Sequence, residues 1–224
     1  WECLFAHFSA IYFQTKNGFP IYEKTVEFQH DFSIVANNPS SNQIKMESSS
    51  NHEFYSLDRK LKVNLTKHFI SLSTENYSTW DDFKSKLELI LEKFNNTYSP
   101  AFFTRVGLRY IDIFERSEMG FNPDEKNWSD LISPEFLGYY LNKKSRDRVK
   151  SFNLVNELTC DDGVSRMRIN SGTVINNKSL EECIQLDNDC YNEENTMVDD
   201  AISLLDILHK NSRILLSEAI TEEL

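Results

Sequence analysis

Apolar residues recur along this chain at two periods, and the switch from one to the other marks its clearest elements. Trp80, Phe83, Leu87, Ile90, Leu91, Phe94 and Tyr98 lie three or four apart, which predicts an amphipathic helix from Ser78 to Tyr98 with one broad core-facing stripe. Ser78 or Thr79 can cap its start, Asp81 and Asp82 suit the positive end of its dipole, Lys93 lies in its last turns, and Asn95-Asn96 precede Pro100. The period then falls to two, and Phe102 to Phe114 reads as a strand. One face carries Phe102, Val106, Leu108, Tyr110 and Phe114, with Thr104 and Asp112 among them. The other carries Phe103, Arg105, Gly107, Arg109, Ile111 and Ile113.

The same reading extends to both ends. Trp1, Leu4, Phe5, Phe8, Ile11 and Tyr12 are helical in period from the first residue, so the native N-terminus is expected to be missing, and Asn17-Gly18-Phe19-Pro20 is a stop signal. Thr25 to Val35 alternates as a strand, whereas Asn37 to Glu53, rich in Ser and Asn, reads as a solvated loop. Leu61 to Leu65 and Phe69 to Leu72 suggest a hairpin with a solvated His68 at its tip. A short helix is expected over Trp128 to Leu141. A second hairpin joins Phe152–Thr159 to Val164–Ile175 through Asp161-Asp162-Gly163, where the Asp-Gly pair is a strong turn signal. Leu180 to Tyr191 follows, and Thr196 opens a C-terminal helix with Ile202, Leu205, Leu208 and Leu215 inward and His209 at its boundary.

In order, these elements predict an α+β fold, a mostly antiparallel sheet with helices packed on one face. They suggest a single domain over 1–224 whose halves, about 1–98 and 99–224, each follow β-α-β-β-β-α if one strand precedes Trp1. Sheets of that kind resemble helix-grip or saddle folds at the level of architecture.

Composition narrows the partners. A formal net charge of -11 disfavours nucleic acid, because phosphate recognition needs clustered Lys and Arg. Cys3, Cys160, Cys183 and Cys190 show no CxxC and no His at metal-finger spacing, so they read as reduced thiols of a cytoplasmic protein, with no metal and no cofactor indicated. No apolar run approaches the length of a membrane span. Asn-x-Ser/Thr triplets at Asn64, Asn76, Asn95, Asn127 and Asn177 are chance products of an Asn-rich chain.

Phe69-Ile70-Ser71-Leu72, Asn76-Tyr77-Ser78-Thr79-Trp80-Asp81-Asp82-Phe83, Tyr98-Ser99-Pro100 and Thr104-Arg105-Val106-Gly107-Leu108-Arg109-Tyr110-Ile111 together resemble a sporadically distributed bacterial protein family of unknown function. Trp128-Ser129-Asp130-Leu131, Phe136-Leu137-Gly138, Leu186-Asp187-Asn188-Asp189 and Ala219-Ile220-Thr221-Glu222 fit its C-terminal half. The resemblance implies a bacterial origin with patchy inheritance, a role in defence or conflict, and an opening strand that this sequence lacks. It implies no activity and no catalytic residues.

Two groups carry candidate chemistry. Arg105 and Arg109 share a strand face roughly 13 Å apart, on either side of Gly107, whose missing side chain allows close approach of a ligand or backbone. Arg166 and Arg168 share another strand face. These residues are the candidate ligand or partner face, with Asp112, Asp187 and Asp189 as its acidic counterpart. The competing and better supported reading is a polar sheet face whose arginines pair with acids of neighbouring strands. Asp187, Asp189, Glu193, Glu194, Asp199 and Asp200 do not form a calcium loop, since the sixth position from Asp187 is Asn192 and the twelfth Val198. No nucleophile elbow, phosphate loop or His-Glu-x-x-His occurs. The expectation is a non-enzymatic partner-recognition module of a bacterial defence, toxin-antitoxin or mobile-element system, its partner a protein or a second copy of the chain. The alternative is an enzyme or sensor binding a small phosphate or carboxylate ligand over the arginine face.

Overall fold

The computed structural model describes residues 18–33, 43–141, 144 and 148–224. It divides into two compact units, Trp1–Phe94 and Asn95–Leu224, and the division falls in the last turns of the helix that links them. The expected helix at Trp1 to Tyr12 lies outside the described residues.

The first unit is a four-stranded antiparallel meander of β1 (Ile21–Ser33), β2 (Gln43–Tyr55), β3 (Leu61–Leu65) and β4 (Ile70–Thr74), in the spatial order of the sequence. β2 corrects the expectation of a solvated loop. Thirteen consecutive residues of β1 and β2 pair in register, from Ile21 with Tyr55 to Ser33 with Gln43. A Ser- and Asn-rich segment has weak strand preference of its own, but a full-length partner strand supplies the ladder that composition does not signal. Phe54 and Val63, cross-strand neighbours, are wholly buried. At the β3–β4 turn Thr66 Oγ1 accepts from the amides of His68 and Phe69 at 3.1 Å each, and His68 is exposed as expected.

The linking helix α1 spans Trp80–Tyr98. Thr79 is its cap, with Oγ1 accepting from the Asp82 amide at 3.3 Å, and Asp82 pairs with Lys86 one turn on at 2.6 Å. Ser99, at φ +46°, closes it just ahead of Pro100. Of the apolar stripe only Ile90 is fully buried; Trp80, Phe83, Leu87, Leu91, Phe94 and Tyr98 are half-buried, so the stripe is shallower than a core face.

The second unit contains β5 (Val106–Phe114), α2 (Trp128–Leu131), two 3-10 turns (Pro134–Phe136 and Gly138–Leu141), β6 (Asn153–Thr159), β7 (Arg166–Ile175), β8 (Glu182–Asn192) and α3 (Ala201–Ala219). This is the expected β-α-β-β-β-α order. Its sheet is antiparallel throughout, ordered β5-β8-β7-β6, and separate from the first, so the described strands form two four-stranded sheets rather than one joined sheet. β5 starts later than Phe102 because Phe103 pairs instead with Thr196, their amides and carbonyls exchanged at 2.8 and 2.9 Å.

Helices lie on one face of this sheet. Leu108, Met167, Ile169, Leu186 and Cys190 form the sheet side of the core, and Leu205, Leu208 and Leu215 of α3 are buried with them. Tyr110 Oη bonds His209 Nδ1 of α3 at 2.8 Å. Ser171 Oγ donates to the Phe136 carbonyl at 2.9 Å, which fastens the 3-10 turn to that same face. Gly163, at φ +74°, completes the β6–β7 turn, where Asp162 Oδ1 accepts from the amides of Val164 and Ser165 at 3.0 and 2.7 Å. Past β5, the Arg116 guanidinium is largely buried and stacks 4.6 Å over the Trp128 ring. Its Nη1 donates to the carbonyls of Pro123 and Lys126 at 3.1 and 3.0 Å, and Glu181 sits 3.8 Å from its Nε.

Candidate recognition face of the second sheet

Period two gives the sheet a second face, turned away from α3, and register fixes what stands beside what. Arg109 lies across from Asp189, Asp189 from Arg168, and Arg168 from Glu157, so one row reads Arg, Asp, Arg, Glu across all four strands. The next row is Ile111, Asp187, Asn170 and Val155. The structure therefore brings together Arg105, Gly107, Arg109, Arg166, Arg168, Asp187 and Asp189 on one face. It does not bring Asp112 there.

The arginines reach along the strands rather than straight across. Arg109 Nε and Nη2 donate to the two carboxylate oxygens of Asp187 at 2.7 and 2.6 Å. Arg105 Nη2 donates to both oxygens of Asp189 at 3.1 and 2.9 Å, and its guanidinium lies 4.5 Å over the Tyr191 ring. The Asp187 hydrogen bonds, with the Asp187 and Asp189 charges, hold the Arg109 guanidinium above its ordinary pKa despite partial burial. Asp187 is only 10% exposed under an arginine that is itself 57% exposed. The carboxylate is thus covered and the cation is presented.

Gly107 owes its place to this arrangement. A Cβ there would stand 2.9 Å from Arg105 Nη1 and 3.4 Å from the Tyr191 Cβ. The space left by the missing side chain is filled by the chain's own arginine, so the sequence-based expectation of room for an approaching ligand is corrected. Arg166 makes a looser pair with Glu193 at 3.5 Å, both largely exposed. Arg168 is exposed and, among the described residues, has no ion-pair partner within 4.0 Å.

Asp112 is corrected as an acidic counterpart: on β5 it alternates with Ile111 and Ile113 and stands on the helix-covered face, opposite Leu186. Burial pushes its carboxyl above the ordinary value. Residues that sequence reasoning missed are Tyr191, the platform under Arg105; Glu157, which accepts from Tyr191 Oη at 3.2 Å; and the apolar members of the face. Ile111, Ile113 and Val155 are 54, 58 and 52% exposed. Alternation alone could have flagged the isoleucines, since they share a face with Arg105 and Arg109.

Other clusters hold no comparable arrangement. Cys160 and Cys190 stand 3.9 Å apart, Sγ to Sγ, and burial pushes the Cys190 thiol up to about 12. Among the described residues no group of three or more His, Cys, Asp or Glu is placed to hold a metal ion, and no helix is long and apolar enough to cross a membrane. Compared with known proteins, the chain matches no family model, no curated protein and no solved structure.

Proposed function

We infer that this chain is a non-enzymatic partner-recognition module, working in a bacterial defence, toxin-antitoxin or mobile-element system, and that the helix-free face of the second sheet is its recognition surface. The observation that carries this reading is the exposure of Ile111, Ile113 and Val155 beside an Arg109 guanidinium held by two parallel bonds to Asp187 and an Arg105 guanidinium whose Nη2 donates to both oxygens of Asp189. Apolar residues flanked by arginines whose geometry is set in advance are what a protein interface uses, because little side-chain freedom is left to lose on binding. The bacterial setting rests on the family resemblance alone, and placement in the cytoplasm rests on Cys3, Cys160, Cys183 and Cys190 read as reduced thiols.

The test is a calorimetric titration with the product of the neighbouring gene. Ile111→Asp should weaken binding by tenfold or more, while Ile207→Asp, at an exposed position of α3, should leave it unchanged; equal effects from both would remove the face from the account. A small anionic ligand is the second reading, favoured by Arg168. Among the described residues it is the member of the arginine group without an ion pair, whereas an anion at Arg105 or Arg109 must displace a carboxylate bonded through both oxygens. A thermal-shift screen of phosphate and carboxylate compounds against wild type and Arg168→Ala decides it.

A further inference from the structure

The geometry points to a second copy of this chain as a partner of the helix-free face, the two sheets stacked about a twofold axis parallel to the strands; this rests on that face being a recognition surface. Such an axis keeps each row at its level along the strands and reverses the strand order, so β5 meets β6 of the second copy and β8 meets β7.

Under that operation Arg109 faces Glu157 of the second copy, and Asp189 faces its Arg168, which has no ion pair among the described residues. One row on, Ile111 faces Val155, joining the apolar residues that stand exposed at opposite edges of the sheet. Asp187, already covered by Arg109, faces the neutral Asn170. An axis running across the strands sets β5 on β5 instead, where the positions opposite Arg109 are Arg105, Gly107, Arg109, Ile111 or Ile113 of the second copy, and none of them is an acid. The self-complementarity is thus specific to one symmetry.

Charge also decides where two copies can meet. The chain carries a formal -11, which repels a second copy over most of its surface. This face balances Arg105, Arg109, Arg166 and Arg168 against Asp187, Asp189, Glu157 and Glu193. Four strands at about 4.8 Å and four rows at about 6.8 Å span roughly 500 Å² per copy, or about 1,000 Å² for both. That stands at the lower bound of a specific interface, so the dimer is dissociable and weakens with salt.

The deciding experiment is site-directed cross-linking of the full chain. In the double variant Ile111→Cys, Val155→Cys the two thiols of one chain stand about 14 Å apart across the sheet and cannot bridge each other. A bis-maleimide with a reach of about 8 Å, matched to side chains that face each other across sheets stacked about 10 Å apart, should give a covalent dimer of the double variant and none of Ile111→Cys alone. Sedimentation should show wild-type self-association that Arg168→Glu weakens at least tenfold, by setting it against Asp189. No cross-link in the double variant, or equal cross-linking of Ile111→Cys alone, overturns the proposal. A chain that stays monomeric while Ile111→Asp still abolishes binding of a foreign protein overturns the second copy and leaves the recognition face standing.

Discussion

Gly107→Ala probes the packing of the candidate face through a single methyl group. The new Cβ would lie 2.9 Å from Arg105 Nη1, the end of a flexible side chain, so the guanidinium must shift, and at most it leaves its seat over Tyr191 and gives up both bonds to Asp189. Arg105 and Asp189 are 46 and 31% exposed, which limits the ion pair to about 0.5–1 kcal/mol; the cation–π contact adds about 0.5–1 kcal/mol. Against this, Ala in a strand gains about 0.5–1 kcal/mol over Gly. The net expectation lies between no change and a loss of about 1.5 kcal/mol. The informative quantity is the coupling, measured by urea unfolding of Gly107→Ala, Arg105→Ala and the double variant. With Arg105 already truncated, Gly107→Ala should be neutral or stabilising. If it costs as much in that background as in wild type, the glycine is required by something other than the arginine, and the account of the face is wrong.

Other perturbations separate groups by burial. Arg116→Ala should cost about 3–5 kcal/mol, since it removes the counter-charge of the largely buried Glu181 and the donor to two carbonyls, whereas Arg166→Ala should change unfolding free energy by less than about 0.5 kcal/mol; similar costs would contradict the distinction. Asp112→Asn should stabilise by about 1 kcal/mol at pH 8. The raised folded-state pKa of Asp112 means that its contribution is fully present below the unfolded carboxyl value and is lost as pH rises through the folded value. The gain should therefore shrink toward pH 4, and a pH-independent difference would refute that cause. Thr79→Ala should lower stability by about 1 kcal/mol through loss of the α1 cap, read as a fall in the urea midpoint.

What the sequence made legible was local. Thr79 as a cap, the Asp162-Gly163 turn and the alternation that set Arg105 and Arg109 beside Ile111 each depend on residues within a few positions of one another. Pairing over long separations was not legible. β2 is a strand because β1 runs beside it for its full length, and nothing in its Ser-rich composition announces that. Likewise the bond from Arg105 to Asp189 and the platform of Tyr191 depend on β8 lying next to β5, a neighbour more than seventy residues away in the chain. Alternation did assign Asp112 to the apolar face. Its acidic type drew it to the arginines nonetheless, and the structure follows the alternation.

The central claim is that a protein partner covers the helix-free face of the second sheet, and isoleucine methyl NMR tests it most directly. Ile111 and Ile113 are exposed on that face, while Ile169 and Ile184 are buried in the same unit and Ile207 is exposed on α3. On concentrating the protein, or on adding the neighbouring gene product, the Ile111 and Ile113 methyl signals should shift and broaden together while Ile169, Ile184 and Ile207 hold their positions. Movement of Ile207 with Ile111 and Ile113 unchanged would contradict the account and place the partner on the helices instead.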